Sequence, residues 1–162
     1  MALDATISGT TSNSYVTEAE ALTYFDDSLD AAAWTAITTK APALISSTSF
    51  LELMFYYGTK TVSAQALNHP RSGIYDQYGI SIPSTIIAPQ IKEATYLLAL
   101  YMAENPDAFD VKSYVKKIRV DVITIEKDVA AFGKYQSLPE RVKALIDPFL
   151  VESGAGVTLG LA

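Results

Sequence analysis

The spacing of apolar residues along the chain predicts a mainly α-helical fold. Apolar side chains recur every three or four positions over residues 16–29, 38–58, 81–106 and 137–150, which is the period of a helix with one buried face. A short helical or turn segment, 30–37, carries Trp34, the chain's single tryptophan. The stretch 81–106 has the widest apolar stripe, which predicts a helix buried on more than one side.

Each of the first three patterns predicts a set of buried side chains. On the first helix these are Ala21, Leu22 and Phe25. On the second they are Leu44, Ile45, Thr48, Leu51 and Phe55. On the third they are Ile91, Thr95, Leu98 and Met102.

Capping and helix-breaking residues predict where these helices begin and end. Thr17 and Glu20 have the spacing of a capping box, in which each side chain accepts a hydrogen bond from the other's backbone N–H. Thr39 is the predicted cap of the second long helix, and Gly58 is its predicted stop. The remaining signals are prolines at helix starts and ends: Pro42, Pro89, Asn105-Pro106, Pro139 and Pro148.

Between the second and third long helices, residues 66–83 are predicted to form a long loop with turn signals at Asn68, Pro70, Gly73 and Gly79. Farther along, one stretch changes to the two-residue period of a β-strand. Its alternating apolar positions are Ile118, Val120 and Val122. The predicted fold class is therefore mainly α: a small helical bundle with a minor β-strand or hairpin element and extended N- and C-terminal arms.

We predict a single domain over residues 1–162, since the chain shows no repeat or linker. Residues 1–13 are polar and form an N-terminal arm; Leu3, Ala5 and Ile7 are candidates for pairing with a neighbouring subunit. Residues 152–162 form a glycine-bearing apolar C-terminal tail. No apolar run approaches the roughly 18 residues that span a bilayer, and the N-terminus lacks the basic region of a signal peptide.

The composition gives evidence about the surface of the domain and the partners it could bind. Hydrophobic residues make up 49% of the chain, ten residues are tyrosines, and the mean hydropathy is +0.19. Two explanations stay open: a well-filled core with ordinary apolar surface, or a surface that is partly an interface, where tyrosine is enriched. The net charge of −6 argues against an autonomous nucleic-acid binder.

No catalytic, cofactor or metal site is predicted. His69 is the only histidine, and Ser72 and Asp76 are near it in sequence, but no nucleophile-elbow motif accompanies them. One histidine without cysteine makes a protein-held zinc site improbable. The acidic residues around Asp107 and Asp110 are expected to be a solvated loop after a helix.

One basic cluster stands out: Lys112, Lys116, Lys117 and Arg119. It could contact DNA or an acidic partner. Alternatively, it could be a solvated strand face whose lysines protect a sheet edge from aggregation, since acidic residues follow it closely.

The order of several short motifs resembles a family of tailed-bacteriophage proteins. The motifs are "NSYVTEAEALTYF", "AAAW", "ALISSTSFLE", "QALNHPRSGI", "IPSTI" and "IKEATYLLALYM", and together they span roughly residues 13–102. The family is that of the head–tail connector, adaptor or head-completion proteins, some of which are labelled DnaT-like single-stranded DNA-binding proteins. Relatives tend to have tryptophan where His69 stands, which suggests a packing role for His69.

The resemblance implies a structural virion protein of the phage neck, made in the host cytoplasm and not an enzyme. It implies a homo-oligomeric ring, a dodecamer in such families, that binds beneath the portal protein and docks the next neck, stopper or tail protein. Genomic DNA would pass through the ring without sequence-specific binding, and a negatively charged lumen would let it slide. No membrane and no cofactor are implied.

Two alternatives from other classes remain. The first is a single-stranded DNA-binding accessory protein, which would need a basic groove and stacking aromatics. The second is a small hydrolase that uses His69. In the favoured interpretation the segment around His69 is a rigid turn fixed by Pro70 and Gly73, with Arg71 anchoring it to a carboxylate or to helix-end carbonyls.

Overall fold

The computed structural model of the protein describes residues 2–106 and 138–151. These ranges contain five α-helices and one small antiparallel hairpin, so the predicted mainly α class is confirmed. A 3₁₀ turn, Asp147–Phe149, follows the last helix directly. The helices are α1 (Glu18–Asp26), α2 (Ala31–Ala36), α3 (Lys40–Leu51), α4 (Pro89–Glu104) and α5 (Glu140–Ile146).

Helix α4 is central to the body, because it packs against both α3 and α5. Of its predicted buried positions, Ile91, Thr95 and Leu98 are fully buried, whereas Met102 is only partly buried. Ala94 and Ala99 are buried too and widen this face, so α4 is buried on more than one side, as predicted. It begins at Pro89, where the missing N–H of proline leaves no helical hydrogen bond unmade.

The capping box at the start of α1 is confirmed. The Thr17 hydroxyl accepts a hydrogen bond from the Glu20 backbone N–H at 3.2 Å, and the Glu20 carboxylate accepts one from the Thr17 N–H at 2.8 Å. Ala21 and Phe25 are buried, but the prediction for Leu22 is wrong, since it is 46% exposed. Ala21 and Phe25 share a face at i and i+4, whereas Leu22 lies about 100° around the helix from Ala21.

Trp34 on α2 is fully buried. Its ring stacks on that of Phe25 with centroids 4.7 Å apart, and Lys40 Nζ lies 5.9 Å from the indole centroid. A six-residue helix is too short to be stable alone. Its burial against α1 therefore holds α2 in place.

The prediction for the end of α3 is wrong. The helix ends at Leu51 rather than near Gly58, and Phe55, expected on its buried face, is 69% exposed. Beyond the helix, the backbone of residues 55–57 pairs with the segment after α5. The Tyr57 N–H donates to the Phe149 carbonyl and the Val151 N–H donates to the Phe55 carbonyl, both at 2.9 Å, so these backbone groups cannot continue the helix.

Thr39 precedes α3, but its side chain makes no capping hydrogen bond, contrary to prediction. Gly58 instead begins the hairpin. It has φ of +72°, and a Cβ there would lie 2.3 Å from the Ser72 carbonyl oxygen. This close approach of two backbones requires glycine.

The hairpin pairs β1 (Thr59–Lys60) with β2 (Arg71–Ser72). It lies partly in the segment predicted as loop, whereas the strand predicted at Ile118–Val122 and the basic cluster at 112–119 lie outside the described residues. The C-terminal tail, 152–162, also lies outside them. The turn signals at Gly73 and Gly79 are confirmed, since both glycines have positive φ.

The N-terminal arm contains no helix or strand over residues 2–13. It folds back on itself around Asp4, whose carboxylate accepts hydrogen bonds from the hydroxyls of Thr6 and Thr11 and whose carbonyl accepts from the Asn13 N–H. The hydroxyl of Thr6 is the nearest donor, and these bonds lower the pKa of Asp4. The Ala66 N–H donates to the Gly9 carbonyl, which ties this arm to the loop before β2.

Candidate interaction surface

His69 is buried, with 2% of its surface exposed. Its ring makes edge-on contacts with Tyr15 and Tyr56, at centroid distances of 5.6 and 4.6 Å. Neither ring nitrogen has a hydrogen-bond partner, so neither Ser72 nor Asp76 is bonded to it. Burial, with a smaller contribution from the nearby Arg71 charge, lowers the pKa of His69 to about 3. His69 is thus a neutral packing residue in this structure.

The peptide bond between His69 and Pro70 is cis, and Arg71 directly follows it. The Arg71 guanidinium donates to the carbonyls of residues 57 and 58 at 2.6 Å each, to that of residue 56 at 3.2 Å and to that of residue 68 at 3.3 Å. Arg71 therefore anchors the turn, as predicted, but its acceptors are carbonyls outside the helices rather than a carboxylate or the end of a helix. Arg71 joins the segment after α3 to the loop before β2.

Glu52, directly after α3, joins the same two segments. Its carboxylate accepts hydrogen bonds from the Tyr15 hydroxyl and, at 2.8 Å, from the Asn68 N–H. The Asn68 side chain in turn donates to the Glu52 carbonyl. Burial, followed by the charge of Glu52, raises the pKa of Tyr15 well above its ordinary value, which keeps this hydroxyl a donor.

These contacts position a groove of about 340 Å³ on the surface. Three segments form it: 57–58, which Arg71 anchors, 73–76, which follows β2, and 148–149, which follows α5. Its lining is mostly aromatic and aliphatic: Tyr57, Gly58, Gly73, Ile74, Tyr75, Asp76, Pro148 and Phe149. We call it the tyrosine groove.

Large apolar side chains are exposed on the segments that form the tyrosine groove. Tyr57 and Tyr75, which line it, are 49% and 55% exposed. Others lie nearby in sequence, at the tip of the 75–81 turn and beside the 55–57 backbone: Phe55, Tyr78, Ile80 and Val151. A concentration of exposed apolar residues on a few segments is typical of an interaction surface.

The described body is acidic. Its residues include six of the chain's twelve basic side chains and twelve of the eighteen acidic ones. Each of the six basic side chains donates to an internal acceptor, carboxylates for three and backbone carbonyls for the others: Lys92, Arg141, Lys143, Lys40, Lys60 and Arg71. This body therefore presents no row of free cations that could follow a phosphate backbone.

The described residues show no cluster of three or more His, Cys, Asp or Glu side chains that could hold a metal ion. None of the helices in residues 2–106 and 138–151 combines the length and hydropathy that a bilayer-spanning helix needs. Sequence reasoning missed the tyrosine groove, because its lining comes from three separate segments. The available signal was the high tyrosine count, which does not say which tyrosines meet.

Comparison with known proteins gives one family. The model of the family described as "Putative DnaT-like ssDNA binding protein" matches residues 1–161. No curated protein and no solved structure matches the chain. The family description names single-stranded DNA binding and does not name a head–tail connector.

Proposed function

Starting from the chain's membership of the family of putative DnaT-like ssDNA binding proteins, we propose that it is a structural assembly protein. In this proposal it is a head-to-tail adaptor of a phage neck, and copies form a ring beneath the portal protein. The ring extends the DNA channel and docks the next neck or tail protein. The observation that carries the proposal is the tyrosine groove, with its exposed apolar neighbours.

Two properties of the body support an assembly role over a DNA-binding one. Phe55, Tyr75 and Tyr78 are 69%, 55% and 78% exposed, so they contribute little hydrophobic free energy to the stability of a monomer. A subunit interface would bury them and gain that free energy. The paired cations and the excess of acidic side chains disfavour tight phosphate contact. DNA could pass such a surface without being held.

The native mass of the full chain tests this proposal. We expect the purified protein, alone or mixed with the portal protein of the same virus, to form a species of several copies in sedimentation and native mass spectrometry. Burying the exposed tyrosines supplies the driving force at about 25 cal/mol per Å² of apolar area. A chain that stays monomeric under both conditions contradicts the adaptor proposal.

The family description favours a second candidate, a single-stranded DNA-binding accessory protein. The sequence offers one location for it. The other six basic residues of the chain all lie in residues 107–137, and four of them are Lys112, Lys116, Lys117 and Arg119. Tyr114 lies within this cluster and could stack on a base.

Binding to a fluorescent oligothymidine of about 30 nucleotides separates the two candidates. If the adaptor proposal is correct, we expect a Kd weaker than about 100 µM at about 200 mM salt, which is beyond the weak end of the range for non-specific contacts. Submicromolar binding by the lone subunit would favour the second candidate instead.

If the chain does bind single-stranded DNA through the basic cluster, replacing its four residues with glutamine should reduce the slope of log K against log salt concentration by about 2.8. Each single-strand phosphate contact contributes about 0.7 to this slope. The control is the double variant Lys40→Gln, Lys60→Gln, which removes cations whose amino groups donate to backbone carbonyls. It should leave the slope unchanged.

A further inference from the structure

The tyrosine groove is suited to an extended apolar segment. It is partly open to solvent, Tyr57, Tyr75 and Phe149 contribute aromatic rings to its lining, and its single charged lining residue is Asp76. One oxygen of the Asp76 carboxylate accepts hydrogen bonds from the N–H groups of residues 78 and 80 at 2.9 and 2.8 Å, so the backbone of its own turn already stabilises this charge. An occupant therefore need not supply a cation, and an uncharged one avoids desolvating a charge.

The chain itself contains such a segment. After Glu152, residues 153–162 carry no charged side chain, and Val157, Leu159 and Leu161 alternate with Thr158 and Gly160. This two-residue period gives an extended segment one apolar face. The predicted C-terminal tail is thus matched in chemistry to the tyrosine groove.

The direction of the chain at Val151 leads away from the groove of its own subunit. Residues 149–151 run antiparallel to residues 55–57. Phe149 lies opposite Tyr57, which lines the groove, and Val151 lies opposite Phe55, which does not line it. Eleven further residues could extend about 36 Å at about 3.3 Å each. A domain of this size has a radius of gyration of about 15 Å, so the tail could reach an adjacent copy.

We propose that residues 157–161 of one copy occupy the tyrosine groove of the next copy. This inference rests on the proposed assembly role and names the contact that carries it. Such a contact is heterologous, since tail and groove are different surfaces, and repeated around an axis it closes into a ring. The tail's apolar face would cover Tyr57 and Tyr75, while its backbone could pair with an exposed segment of the groove.

Two full-length variants test the contact by complementation. Tyr75→Glu puts a charge into the groove, and Leu159→Asp puts one on the apolar face of the tail. We expect the wild type to associate in sedimentation velocity, and each variant alone to need at least tenfold higher concentration. Mixed together they should form heterodimers and nothing larger, because the intact tail of the first fits the intact groove of the second. The matched controls are Leu29→Glu, which puts the same charge at an exposed apolar side chain outside the groove segments, and Ser153→Asp, which puts a charge on the tail before residue 157; both should associate like wild type.

A peptide of residues 153–162 gives a second measurement that does not depend on self-association. It should bind the Leu159→Asp variant, whose groove is intact, and should bind a Leu159→Asp, Tyr75→Glu double variant at least tenfold more weakly. No binding up to about 1 mM would overturn the inference. Peptide binding without heterodimers in the mixture would also overturn it, since the groove would then take the tail of its own chain.

Failure of this contact and failure of the adaptor proposal give different results. If both single variants still assemble like wild type, the tail–groove contact is wrong while assembly through another surface stands. If the wild type forms no assembly with itself or with the portal protein, the adaptor proposal itself fails.

Discussion

Replacing Arg71 with alanine is expected to lower the free energy of unfolding by about 2–3 kcal/mol, measured by urea denaturation at pH 7. The guanidinium donates to four backbone carbonyls, two of them at 2.6 Å, and charged donors form the stronger class of hydrogen bond. Alanine leaves these carbonyls without that donor. Since Arg71 is only partly buried, water replaces some of the lost bonds, which is why the expected cost is well below four full bonds.

Two other variants set the scale for this effect. Arg71→Lys keeps the charge but not the planar fork, so it should recover only part of the loss. Arg141→Ala removes a side chain that is 64% exposed and lies 3.3 Å from Glu93, and it should cost less than about 1 kcal/mol. If Arg71→Ala proves no more destabilising than Arg141→Ala, then the anchoring role of Arg71 is wrong. Because Arg71 also positions Tyr57, its loss should weaken tail peptide binding as well.

The helix starts that could be predicted are those with local causes. The Thr17–Glu20 capping box and the proline at the start of α4 both depend on residues within one turn of each other. Such interactions are present in the sequence itself. The turn glycines, Gly73 and Gly79, were predictable for the same reason.

The features that could not be predicted depend on distant pairs. The end of α3 follows from backbone pairing between Tyr56 and Leu150, and no residue near position 52 indicates this pairing in the sequence. The same pairing exposes Phe55 and brings Tyr57 beside Phe149 to make the groove. A helical period continued past Leu51 in the sequence, yet the tertiary pairing overrode it.

Arg71 combines a local feature that could be predicted with a distant one that could not. The sequence "HPRSG" predicted a fixed turn with an anchoring arginine, and the expected acceptors were a carboxylate or helix-end carbonyls. The role could be predicted but the acceptors could not, because the fold brings in the carbonyls of residues 56–58, which lie directly before β1.

Replacing His69 with phenylalanine is expected to remove most of the acid sensitivity of the protein between pH 7 and pH 5. In the folded state burial lowers the pKa of His69 to about 3, while an unfolded histidine titrates near 6.5. Below about pH 6.5 the unfolded chain therefore binds a proton that the folded chain does not. Stability is full above that pH and falls as the pH drops toward 3, by about 2 kcal/mol between pH 7 and pH 5.

The contribution of His69 to stability between pH 7 and pH 5 can be measured separately, because it is the only histidine and carboxylates ordinarily titrate at lower pH. Asp4 and Glu20, whose pKa values are lowered, would lose their contributions only below it, and equally in both proteins. Phenylalanine keeps a ring against Tyr15 and Tyr56 and removes two unpartnered nitrogens, so at pH 7 it should lie within about 1 kcal/mol of wild type. Urea midpoints at pH 7, 6 and 5 should thus fall for wild type and stay nearly level for His69→Phe. If the urea midpoints of the two proteins instead fall in parallel, the prediction is wrong. The His69 ring would then take up its proton in the folded state, which requires contact with water.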